Sequence, residues 1–298
     1  MHKPLISVVI CTYNRARLLT LCLQSLVDQT LDKLFYEVLI INNNSTDDTH
    51  AVSMEFCRLH SNFRLFNEPR QGLSHARNRG CQEAAGEYVA YSDDDGKASR
   101  NWTEMINSFI ARHREVVAFG GPYSAYSLVR LPRWYKESYG TWSLGSEERP
   151  IGPLEWINGT NMVFKRSFLA DLGGFNPRIG MSGDTLSYGE ETNLLVRIKE
   201  LNHPIYYVPG LLVEHLIGDY KLNLRWLLTS CYRNGLSSVE TFNLPVKPLR
   251  HMGLAVYQGL AGCYKFVISH EMFLKARVFE SFRYFAYHLG AMVRMLKG

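Results

Sequence analysis

The chain has 298 residues, of which 46% are hydrophobic and 20% are charged, so it belongs with globular proteins and is neither disordered nor fibrous. The net charge is +5, but residues 216–298 carry eleven lysines and arginines against four acidic residues, while the rest of the chain is slightly acidic. This basic carboxyl-terminal part predicts contact with something anionic.

Strand and helix signals alternate through the first hundred residues. Apolar, β-branched runs predict strands at Leu5–Cys11, Tyr36–Ile41, Phe63–Asn67 and Glu87–Ser92. Apolar residues at helical spacing predict the helices between them, at Arg17–Gln29, Thr46–His60 and Ser74–Ala85. This alternation predicts parallel strands joined by right-handed βαβ crossovers.

The order changes after a helix predicted at Trp102–His113. Further strands are predicted at Val116–Tyr123, Asn161–Lys165 and Ile205–Val208, and helices at Arg166–Leu172 and Glu190–Leu201. Residues 124–153 are rich in Pro, Gly, Ser and aromatic residues, which predicts a long surface excursion. The last part of the chain predicts basic helices at Leu224–Glu240, Leu249–Ser269 and Met272–Leu296. We expect an α/β domain at 1–215, with halves at 1–95 and 96–215, and a helical extension at 216–298.

The cysteines and apolar stretches bear on the cellular compartment. The six cysteines form no CxxC pair, so we expect buried thiols and no disulfide. The amino-terminal apolar run is too short for a signal peptide, and residues 251–264 fall short of the roughly 20 apolar residues of a spanning helix. These features predict a cytoplasmic protein, with the inner face of the membrane as a site of action.

Three consecutive aspartates, Asp93, Asp94 and Asp95, follow the predicted fourth strand. Ligands of open α/β sheets bind at the carboxyl ends of strands, and adjacent carboxylates repel one another unless a cation lies among them. Mg²⁺ and Mn²⁺ prefer such oxygens and leave places for phosphate. Residues two apart on an extended segment share a face, which favours Asp93 and Asp95 as ligands. An isolated triplet is also typical of a solvated acidic turn.

Five segments, in chain order, resemble the motifs of the family 2 glycosyltransferases, inverting enzymes with the GT-A fold. The aspartates stand at that family's DXD position, and the resemblance spans roughly residues 4–240. The segments are Ser7–Arg15, Glu37–Thr49, Gly72–Gly80 with the strand leading to the aspartates, Asn158–Phe164 with Gly173–Phe175, and Gly189–Thr192.

The resemblance implies a GT-A, Rossmann-like α/β fold with a mixed, mainly parallel sheet flanked by helices and a helical carboxyl-terminal extension. It implies transfer of a sugar, with inversion, from a nucleotide-diphosphate donor to a hydroxyl of a polysaccharide or lipid-linked glycan. It also implies that Mn²⁺ or Mg²⁺ is held by Asp93 and Asp95, together with His215 where many relatives have a histidine. An imidazole suits Mn²⁺ better than Mg²⁺.

An inverting transfer needs a general base on the acceptor side. Glu191 occupies the family's catalytic position, where aspartate is usual, and Glu190 and then Asp184 are the further candidates. Two acids in the first turn of a helix are also favoured by the helix dipole alone.

The resemblance also assigns residues to the two substrates. Donor-binding residues are Thr12, Asn14, Arg15, Asn42, Asn43, Arg77, Asp93 and Asp94. UDP is the expected nucleotide. Asn42 stands where the family often has aspartate, and because an asparagine can both donate and accept hydrogen bonds, guanine and thymine nucleotides stay open. Acceptor-binding residues are Trp156, Asn158, Gly159 and Thr160. The aromatic residues between 123 and 142 are interpreted as an acceptor lid, as loop packing or as a patch for another partner.

The basic helices favour either peripheral contact with an anionic membrane, where a lipid-linked acceptor is met, or a cap on the catalytic domain or a second subunit. Nucleic acid is not expected, because no recognition motif accompanies the charge. Two rival functions stay open. A sugar-1-phosphate nucleotidyltransferase would need a glycine-rich loop, which Thr12–Arg17 lacks. A non-catalytic, membrane-associated nucleotide-sugar-binding protein is favoured only by glutamate at position 191.

Overall fold

The structure, a computed structural model, describes residues 3–183, 185–242 and 248–297. The strands are β1 Ile6–Thr12, β2 Tyr36–Asn42, β3 Phe63–Asn67, β4 Tyr88–Asp93, β5 Gly96–Ala98, β6 Ala118–Gly120, β7 Tyr123–Tyr126, β8 Arg149–Pro150, β9 Met162–Lys165, β10 Ile205–Tyr207 and β11 Val213–Leu216. The helices are α1 Ala16–Val27, α2 Thr49–Leu59, α3 Leu73–Glu83, α4 Trp102–Arg112, α5 Arg166–Asp171, α6 Glu190–Glu200, α7 Leu224–Thr241, α8 Pro248–Ile268 and α9 Leu274–Lys297.

Two sheets are built from these strands. The large sheet has the order β3-β2-β1-β4-β9-β6-β10-β8, and the small one has the order β5-β11-β7. β1 pairs in parallel with β2 and β4, and β2 in parallel with β3, whereas β9 runs antiparallel to its neighbours β4 and β6. The sheet is therefore mixed and mainly parallel, and the predicted fold class is confirmed.

Alternate residues of the central strands pack on opposite sides of the large sheet. Val8 and Ile10 of β1 belong to a core cluster that contains residues of α1 and α4. Val9, between them, belongs to a second cluster with residues of α3, α5 and α6. This is the period of two that a strand imposes on its side chains. Because both faces of β1 are buried under helices, its sequence is a continuous apolar run.

The chain forms two compact units. The first comprises Met1–Ala125, Thr141–Arg178 and Glu191–Leu216, and the second comprises Tyr126–Gly140, Ile179–Glu190 and Ile217–Gly298. The first unit contains the large sheet. The second contains α7, α8 and α9, and both α7 and α8 pack against α9. Among the described residues, no helix is both long enough and apolar enough to cross a lipid bilayer.

Three expectations from the sequence were wrong in detail. The strand predicted at Val116–Tyr123 is divided into β6 and β7, which belong to different sheets and are separated by Gly121 and Pro122. A proline has no N–H to donate to a ladder, so the strand stops there. The predicted excursion at 124–153 contains most of β7 and all of β8.

The six cysteines are all free, but they are not all buried. Cys22 and Cys81 are buried as expected, but Cys263 is exposed on α8. Burial raises the pKa of the Cys22 and Cys81 thiols, so both are inert as nucleophiles near neutral pH.

Candidate active site

The site lies where the strand order of the large sheet reverses. β2 and β3 lie on one side of β1, and β4 lies on the other. Thr12 is in register with Asn42, and Cys11 with Asp93, so these carboxyl ends meet at one edge of the sheet. Ligands of open α/β sheets bind in the crevice at such a point.

The structure brings the three predicted metal ligands together. Ligand atoms of Asp93, Asp95 and His215 all lie within 4.8 Å of one another. His215 Nε2 is 3.2 Å from Asp95 Oδ1 and 3.7 Å from Asp93 Oδ2. Asp95 is buried, whereas the side chains of Asp93 and His215 are 32% and 20% exposed. The cluster is therefore partly open to solvent.

The small sheet carries His215 to the aspartates. In the antiparallel pair of β5 and β11, His215 lies opposite Gly96, and the Leu216 N–H donates to the Asp95 carbonyl. A β-carbon at Gly96 would lie 3.0 Å from Ser92 Oγ and 3.1 Å from the Asp93 carbonyl oxygen, so the tight turn favours glycine. Neither strand was predicted from the sequence.

The prediction that Asp93 and Asp95 share a face of one extended segment was wrong. Asp94 and Asp95 lie in the turn between β4 and β5, so the aspartates are not on one extended segment. Asp93 and Asp95 converge because the chain folds back.

Arg15, at the end of the first loop, pairs with the other side of this turn. Its Nη1 donates to Asp94 Oδ1 at 3.2 Å and to Asp95 Oδ2 at 3.0 Å. Burial raises the pKa of the Asp94 carboxyl to about 7, and the charge of Arg15 and the hydroxyl of Thr12 oppose this rise. Asp94 therefore points into the protein, and its carboxylate holds Arg15 at the rim of the cluster.

Asn14 joins the loops that follow β1 and β2, and Asn42 holds the second of these loops. Asn14 has φ of 52°, and its Oδ1 accepts the Thr46 N–H at 2.7 Å. The Asn42 Oδ1 accepts the Ser45 N–H at 3.0 Å. Both asparagines thus hold loops at this edge of the sheet, and Asn14 is exposed while Asn42 is buried.

Asn43 holds the loop between β3 and α3. Its Nδ2 donates to the carbonyls of Glu68 and Arg70, and its Oδ1 accepts the Gly72 N–H. Because both amide donors are used within the protein and the residue is buried, Asn43 positions this loop.

Arg77 of α3 connects the acidic cluster with the acceptor motif. Its Nη2 lies 3.5 Å from Asp93 Oδ1 and 3.5 Å from the Gly159 carbonyl oxygen. The guanidinium also lies over the Phe175 ring, 5.3 Å from its centre. The side chain is only 4% exposed, so burial and these contacts fix its position.

Glu191 approaches the same arginine from α6. A β-carbon added at Gly159 would lie 3.0 Å from Arg77 Nη2 and 3.5 Å from Glu191 Cδ. Asp93, one of the predicted metal ligands, and Glu191, the predicted base, therefore both lie near Arg77, although they are almost a hundred residues apart in the sequence.

Glu190 differs from Glu191 in its surroundings. It is buried, belongs to the other compact unit, and lies so close to Gly180 that a β-carbon there would be 2.8 Å from Glu190 Oε2. Asp184 lies outside the described residues.

The acceptor motif forms a turn. The Asn158 Oδ1 accepts the Thr160 N–H at 3.2 Å, and the Asn158 carbonyl accepts the Asn161 N–H. Thr160 is buried, and Trp156 is partly exposed with Lys199 Nζ 4.0 Å from its ring centre. Sequence reasoning missed the role of Asn161, whose side chain binds the carbonyls of Pro122 and Leu211 and accepts from the Trp102 indole.

The aromatic residues between 123 and 142 pack largely on one another, as one of the three interpretations stated. Tyr123 stacks on Trp142, and Tyr135 makes edge contacts with Trp134 and Tyr139. Tyr123 has a second contact that the sequence did not reveal: its ring meets the His215 imidazole edge-on, with 5.6 Å between the ring centres.

The chain is similar in sequence to proteins that are named as glycosyltransferases. The chain is 27% identical to a glucosyl-dolichyl phosphate glucuronosyltransferase of Haloferax volcanii, over 78% of this chain and 75% of that protein. It is 34% identical to the glycosyltransferase AglE of the same organism, over 61% of this chain and 59% of AglE.

Solved structures share the fold. The mannosyltransferase PcManGT of Pyrobaculum calidifontis, in complex with GDP-Man and Mn²⁺, gives a TM-score of 0.57 at 18% identity, over 99% of this chain and 74% of that one. S. aureus TarS, in complex with UDP-GlcNAc, gives 0.59 at 15% identity, over 93% of this chain and 89% of that one. The sequence model of Glycosyl transferase family 2 matches residues 7–173, more than half of the chain, and the protein therefore belongs to this family of glycosyltransferases.

Proposed function

We propose that the protein transfers a sugar, with inversion, from a nucleotide-diphosphate donor to a hydroxyl of a glycan or lipid-linked acceptor. The observation that carries the proposal is the position of Arg77. Its guanidinium lies beside Asp93 on the donor side and beside Gly159, which Glu191 also approaches. Residues 1–95 then supply the donor half of a catalytic domain, residues 96–215 its acceptor half, and residues 216–298 the helical extension.

The acidic cluster fits a divalent cation. Two carboxylates and an imidazole form a donor set that suits Mn²⁺ and, with less preference for the imidazole, Mg²⁺. Arg15 takes one oxygen of Asp95 and leaves the other facing His215. When bound, the cation supplies a Lewis acid that neutralises the diphosphate of the departing nucleotide.

The donor side suits a nucleoside diphosphate. Arg15 and Arg77 place two guanidinium groups beside the aspartates, and guanidinium groups bind phosphate oxygens. The loops held by Asn14 and Asn42 lie at the same edge and are proposed to contact the base and ribose, with Thr12 beneath them. UDP is the proposed nucleotide, and the fold neighbours that hold GDP-Man and UDP-GlcNAc show that related folds take either base.

Glu191 is the proposed general base. In the reaction the acceptor hydroxyl loses its proton to the Glu191 carboxylate while its oxygen attacks the anomeric carbon from the face opposite the nucleotide. The bond to the diphosphate breaks in the same step, and Arg77 stabilises the negative charge that develops there. Asn158, Gly159, Thr160 and Trp156 are proposed to position the acceptor sugar.

A lipid-linked glycan is the proposed acceptor class. The relative from Haloferax volcanii that covers most of this chain is named as a glucosyl-dolichyl phosphate glucuronosyltransferase. Such an acceptor lies at a membrane surface, which agrees with the basic charge of residues 216–298.

The test separates binding from chemistry. Glu191→Gln removes the proton acceptor but keeps shape, so it should bind UDP with Mn²⁺ as the wild type does and lose sugar transfer by about a thousandfold. Asp95→Asn should lose both the Mn²⁺-dependent binding and the transfer. Glu87→Gln, at an exposed carboxylate, is the control.

Calorimetry measures binding, and release of UDP from UDP-sugars with a lipid-phosphate acceptor measures transfer. Transfer at the wild-type rate by Glu191→Gln, or Mn²⁺ binding unchanged in Asp95→Asn, would contradict the assignment. Loss of transfer in Glu190→Gln alone would move the base to the neighbouring residue.

A further inference from the structure

Helix α8 exposes most of its large apolar residues. Leu249, Leu260 and Val267 are 75%, 68% and 79% exposed, and five further residues of the helix are exposed as well. Together they form the α8 face, which consists of Leu249, Met252, Val256, Tyr257, Leu260, Tyr264, Val267 and Ile268. Their spacing of mainly three and four residues places them along one side of the helix.

The opposite side of α8 packs against α9 through small residues. Ala255 is buried, and a β-carbon at Gly262 would lie 2.6 Å from the Ser281 carbonyl oxygen of α9. At Gly259 a β-carbon would lie 3.3 Å from the Phe285 ring. The helix thus turns its small residues to the protein and its large apolar residues outward, the reverse of a helix that covers a protein core.

The charge of α8 and its neighbourhood is one-sided. The sequence of α8 contains no acidic residue, and Lys265 is exposed among its last residues. The whole stretch 216–298 carries eleven basic residues against four acidic ones. Tyr257 and Tyr264 add aromatic rings with a polar end, which suit the boundary between acyl chains and headgroups.

From these observations we infer that the α8 face is a membrane-docking surface that lies flat on an anionic lipid bilayer. The apolar residues enter the headgroup boundary while the basic residues meet lipid phosphates. Because the small-residue side is already packed on α9, the helix lies along the surface with one side in lipid. The inference deepens the proposed function, on which it rests, because a lipid-linked acceptor is presented at the same surface.

Vesicle flotation tests the surface. Full-length protein is mixed with vesicles of phosphatidylcholine alone or with phosphatidylglycerol added, and the bound fraction is measured. The wild type should float with the anionic vesicles, and less so with neutral ones or at high salt. The double variant Leu260→Gln with Val267→Gln should bind about tenfold more weakly. The control Leu59→Gln with Leu154→Gln removes two apolar side chains that are 57% and 88% exposed elsewhere and should float like the wild type.

Two further measurements distinguish loss of membrane binding from loss of catalysis and from a change of oligomeric state. UDP release in solution with Mn²⁺ should be unchanged in the α8 variant, so a failure of the membrane inference is distinguished from a failure of the proposed catalysis. Sedimentation velocity without lipid should give the same oligomeric state for wild type and variant. A wild type that stays with the aqueous fraction, or a variant that floats like the control, overturns the inference. So does an α8 variant that changes a dimer to a monomer, which would assign the face to a second copy of the chain.

Discussion

The Arg77 guanidinium lies 3.5 Å from both Asp93 Oδ1 and the Gly159 carbonyl oxygen. A β-carbon at Gly159 would meet Arg77 Nη2 at 3.0 Å and Glu191 Cδ at 3.5 Å, so both side chains come close to this residue. Glycine at this position is therefore explained by close approach of two charged groups, independently of backbone freedom.

Gly159→Ala should lower transfer without unfolding the protein. The added β-carbon would lie 3.0 Å from Arg77 Nη2, so the guanidinium must move by a few tenths of an ångström. We expect the rate of transfer to fall about tenfold, because small displacements of positioned groups are costly to catalysis. The control is Gly253→Ala on α8, where nothing lies within 4 Å of the new carbon. Equal rates in both variants would refute this role of Gly159.

Tyr123→Ala should weaken the binding of Mn²⁺. The ring contacts the His215 imidazole edge-on, and groups that orient a metal ligand contribute to affinity. We expect a loss of affinity of about tenfold, measured from free Mn²⁺ by electron paramagnetic resonance, whereas Tyr123→Phe keeps the ring and should bind as the wild type does. An alanine variant with unchanged affinity would show that His215 needs no such support.

At the scale of elements, the loops at this edge of the large sheet are held in place by hydrogen bonds from a few side chains. The loop between β3 and α3 depends on Asn43 and on Glu68, whose carboxylate accepts from the Arg70 side chain and N–H. The hydrogen bonds from Arg70 lower the pKa of the Glu68 carboxyl to about 2, from an ordinary value of 4.5.

The pH dependence of Glu68→Gln tests this loop. Because the pKa is lower in the folded state, the ionised carboxylate stabilises the fold above pH 4.5, and this contribution is lost as the pH falls from 4.5 towards 2. The variant should lose about 1 kcal/mol of unfolding free energy at pH 7, a modest value because Arg70 is exposed. The difference from wild type should narrow in acid.

Urea unfolding across this pH range makes the measurement. The control is Glu55→Gln. The Glu55 carboxylate and its partner Arg58 are both exposed, so solvent screens the pair and a smaller change with pH is expected there. A difference between Glu68→Gln and wild type that is constant with pH would contradict the pairing.

The elements that were predicted from the sequence are those with a local signal. β1 and β2 are seven residues each, and α1 shows apolar residues at helical spacing, so each element can be recognised from its own local sequence. β5, β8 and β11 have three, two and four residues, which is too short for a period of two to stand out. They exist because distant partners pair, as when β5 meets β11 across more than a hundred residues.

The candidate site likewise has residues that were predicted from the sequence and contacts that were not. Asp93, Asp95, His215 and Glu191 stand in motifs and were singled out from the sequence. The contacts of Arg15 with Asp94 and Asp95, and of Tyr123 with His215, arise only when the loops and the small sheet come together. Motifs therefore predicted the chemical groups, and the fold was needed for their partners.

At the scale of the whole molecule, the two compact units carry different properties. The first holds the acidic cluster, Arg77 and Glu191, and the second holds the basic helices and the α8 face. We assign the chemistry to the first unit and the membrane contact to the second.

Anomalous diffraction from crystals grown with Mn²⁺ and UDP tests where this chemistry takes place. We expect one strong manganese peak at ligand distance, about 2.0–2.3 Å, from oxygens of Asp93 and Asp95 and from His215 Nε2, with the diphosphate on its open side. A manganese peak elsewhere, or UDP bound away from Arg77 and the aspartates, would contradict it.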